Sequence, residues 1–175
     1  MSTKQEIKKK GNFGVLVKQY DAARRGYPDS VFNFLRKLSP TKRPNILDIG
    51  CGTGIATRQL KQQGFAVVGA DKDQRMIKVA KQKDKGIRYI VAPTHKLPFR
   101  GKQFDIVTAF TAFHWFTDKK SVGEIKRVLK PGGLFFAVLK NPSDNKKYII
   151  LNRALPGTVA LRHSGESQRR DIPRG

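Results

Sequence analysis

The feature that most constrains this 175-residue chain is the stretch Asn45-Ile46-Leu47-Asp48-Ile49-Gly50-Cys51-Gly52-Thr53-Gly54. A short apolar run stops at three alternating glycines and passes at once into an amphipathic segment from Ile55, the pattern of a buried strand, a tight turn and a helix start. Glycine suits a backbone that takes positive φ or lets a ligand lie against the main chain. The helix that follows brings unpaired N–H groups and a partial positive charge to the same loop. A polar or anionic ligand is expected there.

Spacing narrows the choice of ligand. A dinucleotide-binding turn, Gly-x-Gly-x-x-Gly from Gly50, requires a small residue where Ile55 stands. A phosphate-cradling loop requires Gly-Lys-Ser or Gly-Lys-Thr, and no such triplet follows. Leu47 to Gly54 resembles instead motif I of the class I S-adenosylmethionine-dependent methyltransferases, in eight contiguous residues. Later segments resemble the type 11 small-molecule branch of that family. Cys51 is the single cysteine, which excludes a disulfide framework and fits a reducing compartment. Within the loop it is read either as a small residue filling the turn or as a reactive thiol.

The chain is expected to divide into a basic N-terminal stretch (1–12), an N-terminal cap segment (13–44), an α/β core (45–140) and an irregular C-terminal tail (141–175). Val31, Phe32, Phe34, Leu35 and Leu38 mark a helix whose cap is Asp29 or Ser30. Before it, Tyr20 to Pro28 resembles the family's Tyr-x-x-x-Arg-Pro-x-Tyr-Pro. That resemblance puts Tyr20 and Arg24 over the cofactor, with Arg25 standing where the family has proline; a surface cap with a basic turn is the other reading.

A continuous apolar run from Phe65 to Ala70 suits a parallel strand covered on both faces, and Asp71 closes it about 20 residues beyond the glycine loop. In a nucleoside-binding α/β domain an acid there accepts hydrogen bonds from the ribose hydroxyls. Capping the next helix is compatible with that role. The following helix carries Met76, which the resemblance places under the adenine edge and which is equally readable as core. Pro93-Thr94-His95-Lys96-Leu97-Pro98-Phe99 resembles the family's Asp-Ala-x-x-Leu-Pro-Phe, with Pro93 in place of the acid that receives the adenine amino group. Phe104 to Phe110 reads as a fourth buried strand, Asp118 as a helix cap and Leu134 to Leu139 as a fifth strand.

Strands alternating with helices specify a Rossmann-like, doubly wound, mainly parallel α/β sheet whose ligand lies beyond the carboxyl ends of the strands. By the resemblance, the cofactor is S-adenosyl-L-methionine and its binding set is Tyr20, Arg24, Asp48, Gly50, Cys51, Gly52, Gly54, Asp71, Lys72, Met76, Thr94, Phe110 and Thr111. His114, in Phe113-His114-Trp115-Phe116, is the candidate general base if the acceptor binds protonated; its other reading is a residue that shapes the pocket.

The family usually continues with a helix and an antiparallel strand pair. Here Tyr148 to Leu151 and Val159 to Leu161 are expected to add one poor strand or helix, leaving the C-terminal antiparallel strands reduced or missing. The implied function is methyl transfer to a small-molecule acceptor; the alternative is a truncated, inactive cofactor-binding or polyanion-binding domain.

Charge bears on that alternative. Bases outnumber acids 36 to 13, for a net +23, and the excess is spread: 11 bases to 3 acids over 1–44, 18 to 7 over 45–140, and 7 to 3 over 141–175. Such a surface attracts nucleic acid without regard to sequence through counterion release. A generally lysine-rich composition is the equal reading. With no signal peptide and no run of about 20 apolar residues, a cytoplasmic protein without a membrane partner is expected. The sequence leaves oligomeric state open, and it suggests no metal site.

Overall fold

The structure is a computed structural model that describes residues 26–139 in full, together with the backbone of residue 140 and of two further strands, 148–153 and 158–163. The elements are α1 (Asp29–Leu38), β1 (Asn45–Ile49), α2 (Ile55–Gln62), β2 (Ala66–Asp71), α3 (Gln74–Lys83), β3 (Arg88–Val91) and β4 (Phe104–Phe110). A 3-10 turn (Phe113–Trp115), α4 (Lys119–Val128), β5 (Leu129–Lys140), β6 (Tyr148–Arg153) and β7 (Thr158–His163) complete those described. Strand order is β3-β2-β1-β4-β5-β6-β7. The first five strands run parallel, and β6 and β7 are antiparallel to their neighbours.

Side-chain parity on β1 explains the layers. Ile46 faces α1 and α2, packing with Val31, Phe32, Leu35, Ala56 and Leu60. Leu47 and Ile49 face the other way, toward Ile125 and Val128 of α4. β5 repeats the alternation, with Phe136 and Val138 on the first face and Phe135 and Ala137 on the second. Central parallel strands buried on both faces need continuous apolar sequence, as β1, β4 and β5 have.

Two expectations need correction. α1 begins at Asp29 itself, with Pro28 as N-cap and no side-chain cap bond. The pyrrolidine ring already fixes φ near the required value, and the Asp29 carboxylate accepts instead from Gln63 Nε2 at 3.0 Å. The second concerns residues 148–153 and 158–163. They form two strands rather than one poor element, registered Lys140↔Tyr148 and Tyr148↔His163. Antiparallel pairing lets each short apolar run become a strand against an existing edge, β6 on β5 and β7 on β6. The antiparallel strand pair is thus present, and β6 covers the edge of β5.

The architecture places the site. From β1 the chain winds outward to β2 and β3, then returns past β1 to form β4. The switch lies between β1 and β4, where loops leave the sheet in opposite directions and a crevice opens at the carboxyl ends.

Candidate functional site

Gly50, Gly52 and Gly54 all have positive φ (63°, 56° and 77°). A Cβ on Gly50 would sit 2.5 Å from Phe116 Cζ and 2.7 Å from Ala112 Cβ. The loop after β1 therefore lies directly against the turn after β4. A Cβ on Gly52 would meet nothing within 4 Å, so the main chain there faces open space. Gly54 caps α2 in the left-handed conformation, close over the hydroxyl of Tyr89. That hydroxyl is buried and without a hydrogen-bond partner.

Asp71 holds the loop from the side. Its Oδ2 accepts from Gly52 N at 2.8 Å and its Oδ1 from Asp73 N at 2.9 Å. Desolvation raises its pKa, while the two N–H donors pull the other way. Each oxygen keeps a further acceptor lone pair, so a vicinal diol can still bond to this carboxylate. Asp73, not Asp71, caps α3, accepting from Arg75 N at 2.9 Å.

Behind the loop, Asp48 is fully buried. Its carboxylate accepts from Thr57 Oγ1 at 2.6 Å and Thr108 Oγ1 at 2.9 Å, tying α2 and β4 to β1. Burial raises its pKa to about 7, outweighing the two hydroxyl donors. Cys51 packs beside Ile77, Ala80, Ile87 and Tyr89. Burial, then the Asp48 and Asp71 charges, push its thiol well up, so it stays protonated and acts as a small filler.

The far wall is the strained turn after β4. Thr111 has φ 54°, and its N–H donates to Val138 O at 2.6 Å. Its Oγ1 lies 2.8 Å from Tyr27 Oη. Gln59 in turn grips the Tyr27 backbone both ways, accepting from its N at 2.9 Å and donating to its O at 2.8 Å. The segment before α1 is thereby fastened to α2 and to the end of β4.

These parts enclose a cleft of about 210 Å³. Gly50, Gly52, Asp71, Lys72, Met76, Thr94, Phe110 and Thr111 of the sequence-derived set line it. Asp48 and Cys51 line instead a small recess that shares Gly50 and Phe110 with the cleft. Gly54 lies on neither wall. His114 is exposed on the 3-10 turn, its ring 4.9 Å from that of Trp115, and is not part of the cleft wall. Tyr20 and Arg24 lie outside the described residues.

Sequence reasoning missed several lining residues: His95, Trp115, Phe116, Asp118 and Ser121. The Phe-His-Trp-Phe run was the available signal, but which of its residues turn inward depends on the 3-10 geometry. It also missed the support of the 93–99 loop. Glu124 Oε2 accepts from Leu97 N at 2.9 Å, while Arg127 donates to Phe99 O at 2.8 Å and Leu97 O at 3.0 Å. Those two side chains pair with each other at 2.6 Å, forming a clamp from α4. Among the described residues no cluster of His, Cys, Asp and Glu could hold a metal ion.

A family profile described as a methyltransferase domain matches residues 47–137, from the glycine loop through β5. The chain belongs to the class I methyltransferase family. An uncharacterised methyltransferase of Mycobacterium tuberculosis is 30% identical over 122 residues, 70% of this chain and 49% of the relative. A demethylmenaquinone methyltransferase of Thermotoga maritima is 31% identical over 121 residues, 67% of this chain and 52% of the relative. The structure of Haemonchus contortus phosphoethanolamine N-methyltransferase 2 in complex with S-adenosyl-L-methionine superposes with a TM-score of 0.54. It is 30% identical and covers 63% of this chain and 28% of that chain. The chain spans about half the length of the relatives it matches.

S-adenosylmethionine is the family's cofactor, and the cleft is chemically suited to it. The open main chain at Gly52 leaves room for a ligand against the loop, and the Asp71 carboxylate retains acceptors for a ribose. Pro93 has no side-chain acceptor for an adenine amino group, and its carbonyl oxygen already accepts from Lys96 N at 3.0 Å. That contact, present in the pattern the loop otherwise resembles, is missing from its usual position.

Proposed function

We propose that this chain transfers a methyl group from S-adenosylmethionine to a small-molecule acceptor. The observation that carries the reading is the cleft at the switch point between β1 and β4, lined on one side by Gly50, Gly52 and Asp71 and on the other by Phe110, Trp115 and Phe116. Asp71 would hold the ribose, the Gly50–Gly52 main chain the amino-acid portion, and Met76 and Thr94 the base. The bound cofactor supplies an already activated methyl on a sulfonium.

The protein's own work is then alignment and exclusion of water. The rings of Phe110, Trp115 and Phe116 provide a wall that a flat or apolar acceptor can lie against, presenting its nucleophile along the line of transfer. A base is needed only for an acceptor that binds protonated. His95 on the cleft wall is better placed for that than His114 outside it. Two of the relatives are named for non-polymeric acceptors, demethylmenaquinone and phosphoethanolamine, which supports the small-molecule class.

Calorimetric titration with S-adenosylhomocysteine is the direct test. Micromolar binding is expected, and Asp71→Ala is expected to weaken it at least tenfold. A folded protein that binds none of it overturns the reading. Binding together with methylation of RNA but of no small molecule overturns the acceptor class alone.

A further inference from the structure

We infer that a basic groove beneath the amino-terminal ends of β3, β4 and β5 binds the phosphate backbone of nucleic acid, at the end of the sheet opposite the cleft. The groove runs between the turn at residues 100–103 and the glycine-rich turn that opens β5. Lys102, Lys126, Arg127 and Lys130 line one stretch, and Arg88, Arg100 and Lys102 the next, with Gly101 and Lys102 shared. No carboxylate lines either stretch.

Two of the groove's cations are paired with acids. Glu124 pairs with Arg127 at 2.6 Å and Asp105 with Lys130 at 2.9 Å. Arg88, Arg100, Lys102 and Lys126 are exposed and have no carboxylate in ion-pair range among the described residues. Four uncompensated cations along one groove repel each other, and that repulsion is relieved by a ligand with repeated negative charge.

The groove is built on fixed parts. Lys102 N donates to Arg127 O and Gln103 N to Val128 O, both at 2.8 Å, so the 100–103 turn is bonded to the end of α4. Lys102 itself adopts φ 56°, a left-handed conformation imposed by that turn. On the floor, a Cβ at Gly132 would meet nothing within 4 Å, leaving main chain open to an approaching phosphate.

Surface chemistry favours nucleic acid over an anionic membrane. Val91 and Trp115 are the exposed large apolar side chains among the described residues, and neither lies in the groove. A bilayer would have no apolar anchor there, whereas a phosphate backbone needs none.

The test is fluorescence anisotropy of the full chain with a fluorescein-labelled 20-base-pair RNA duplex between 50 and 200 mM KCl. Four phosphate contacts give a slope of log K against log salt of roughly −3.6, about a 150-fold loss of affinity over that range. The variant R88Q/R100Q/K102Q/K126Q is expected to lose at least tenfold in affinity at 100 mM salt and to flatten the slope by about 3 to 4. R100Q/K126Q, which leaves the strained turn intact, should flatten it by about half as much.

K37Q/K78Q/K81Q/K120Q removes the same charge from helix surfaces elsewhere and should change the slope by less than about 1. Equal losses in the control and groove variants would mean that the attraction is diffuse, and would overturn the proposal. So would absence of duplex binding by the wild type. Groove-dependent binding to vesicles containing phosphatidylserine, with duplex binding unaffected by the substitutions, would assign the surface to membranes instead.

Discussion

Replacing Asp48 by asparagine should make the domain more stable at neutral pH and remove a large part of its pH dependence. The carboxylate is fully buried, and its pKa stands at about 7 against a reference of 3.8, with desolvation as the leading cause. That gap of about 3 units, at about 1.4 kcal/mol each, makes the ionised group cost about 4 kcal/mol in the folded state. Between the two values the folded chain keeps a proton that the unfolded chain has released. Stability therefore falls as pH rises from about 4 to about 7, and stays low above that.

Asparagine has nearly the same shape and no charge to desolvate. Its oxygen can accept from Thr108 and its amide can donate to Thr57, whose hydroxyl both donates and accepts. Urea unfolding of both proteins across pH 4 to 8.5 gives the difference curve, in which contributions from the other acids cancel. The expected curve is near zero at pH 4 and rises by about 1.4 kcal/mol per pH unit to a plateau of about 4 kcal/mol above pH 7. A flat difference, or one that falls with pH, would refute the reasoning by showing that the two threonine hydroxyls sustain the charge against burial.

Three further outcomes follow from the site. G50A places a methyl 2.5 Å from the Phe116 ring at a φ of 63°, and should lower stability by about 1–3 kcal/mol and abolish S-adenosylhomocysteine binding, read by thermal melting and calorimetry. R127A cuts the clamp on Leu97 and Phe99; because that side chain is 40% exposed, the loss is held to about 1–2 kcal/mol in chemical denaturation, accompanied by weaker cofactor binding. Y27F removes the bond to Thr111 and should cost about 1 kcal/mol, with looser S-adenosylhomocysteine binding by calorimetry because Thr111 lines the cleft.

What the sequence made legible was whatever local pattern controls. The apolar runs of β1, β4 and β5 announce buried parallel strands, and the glycines at 50, 52 and 54 announce a loop that needs positive φ. Asp71 is legible because its place after β2 is a fixed distance from that loop. Properties that join distant segments were not legible. Nothing near Asp48 in the chain shows that Thr108 will reach it, and nothing near Leu97 shows that Glu124 and Arg127 will bond its backbone from α4. His114 and His95 look alike in sequence, and the turn geometry decides which one faces the cleft. The β6–β7 pair was underestimated because short apolar runs become adequate strands once an existing sheet edge supplies their partners.

The order in which the chain visits the sheet also bears on how the domain assembles. β1 and β4 pair across 60 residues, Ile46 with Ile106, and every ligand-facing loop hangs from one or the other side of that pair. Closing so long a connection comes at an entropic cost that near-neighbour pairings such as β6 with β7 avoid. Any partly folded species lacking the β1–β4 contact has no cleft, however much helix or hairpin it contains. Ligand binding is thus a reporter of completed central-sheet closure, and a saturating ligand favours the closed sheet over any species that lacks the β1–β4 contact.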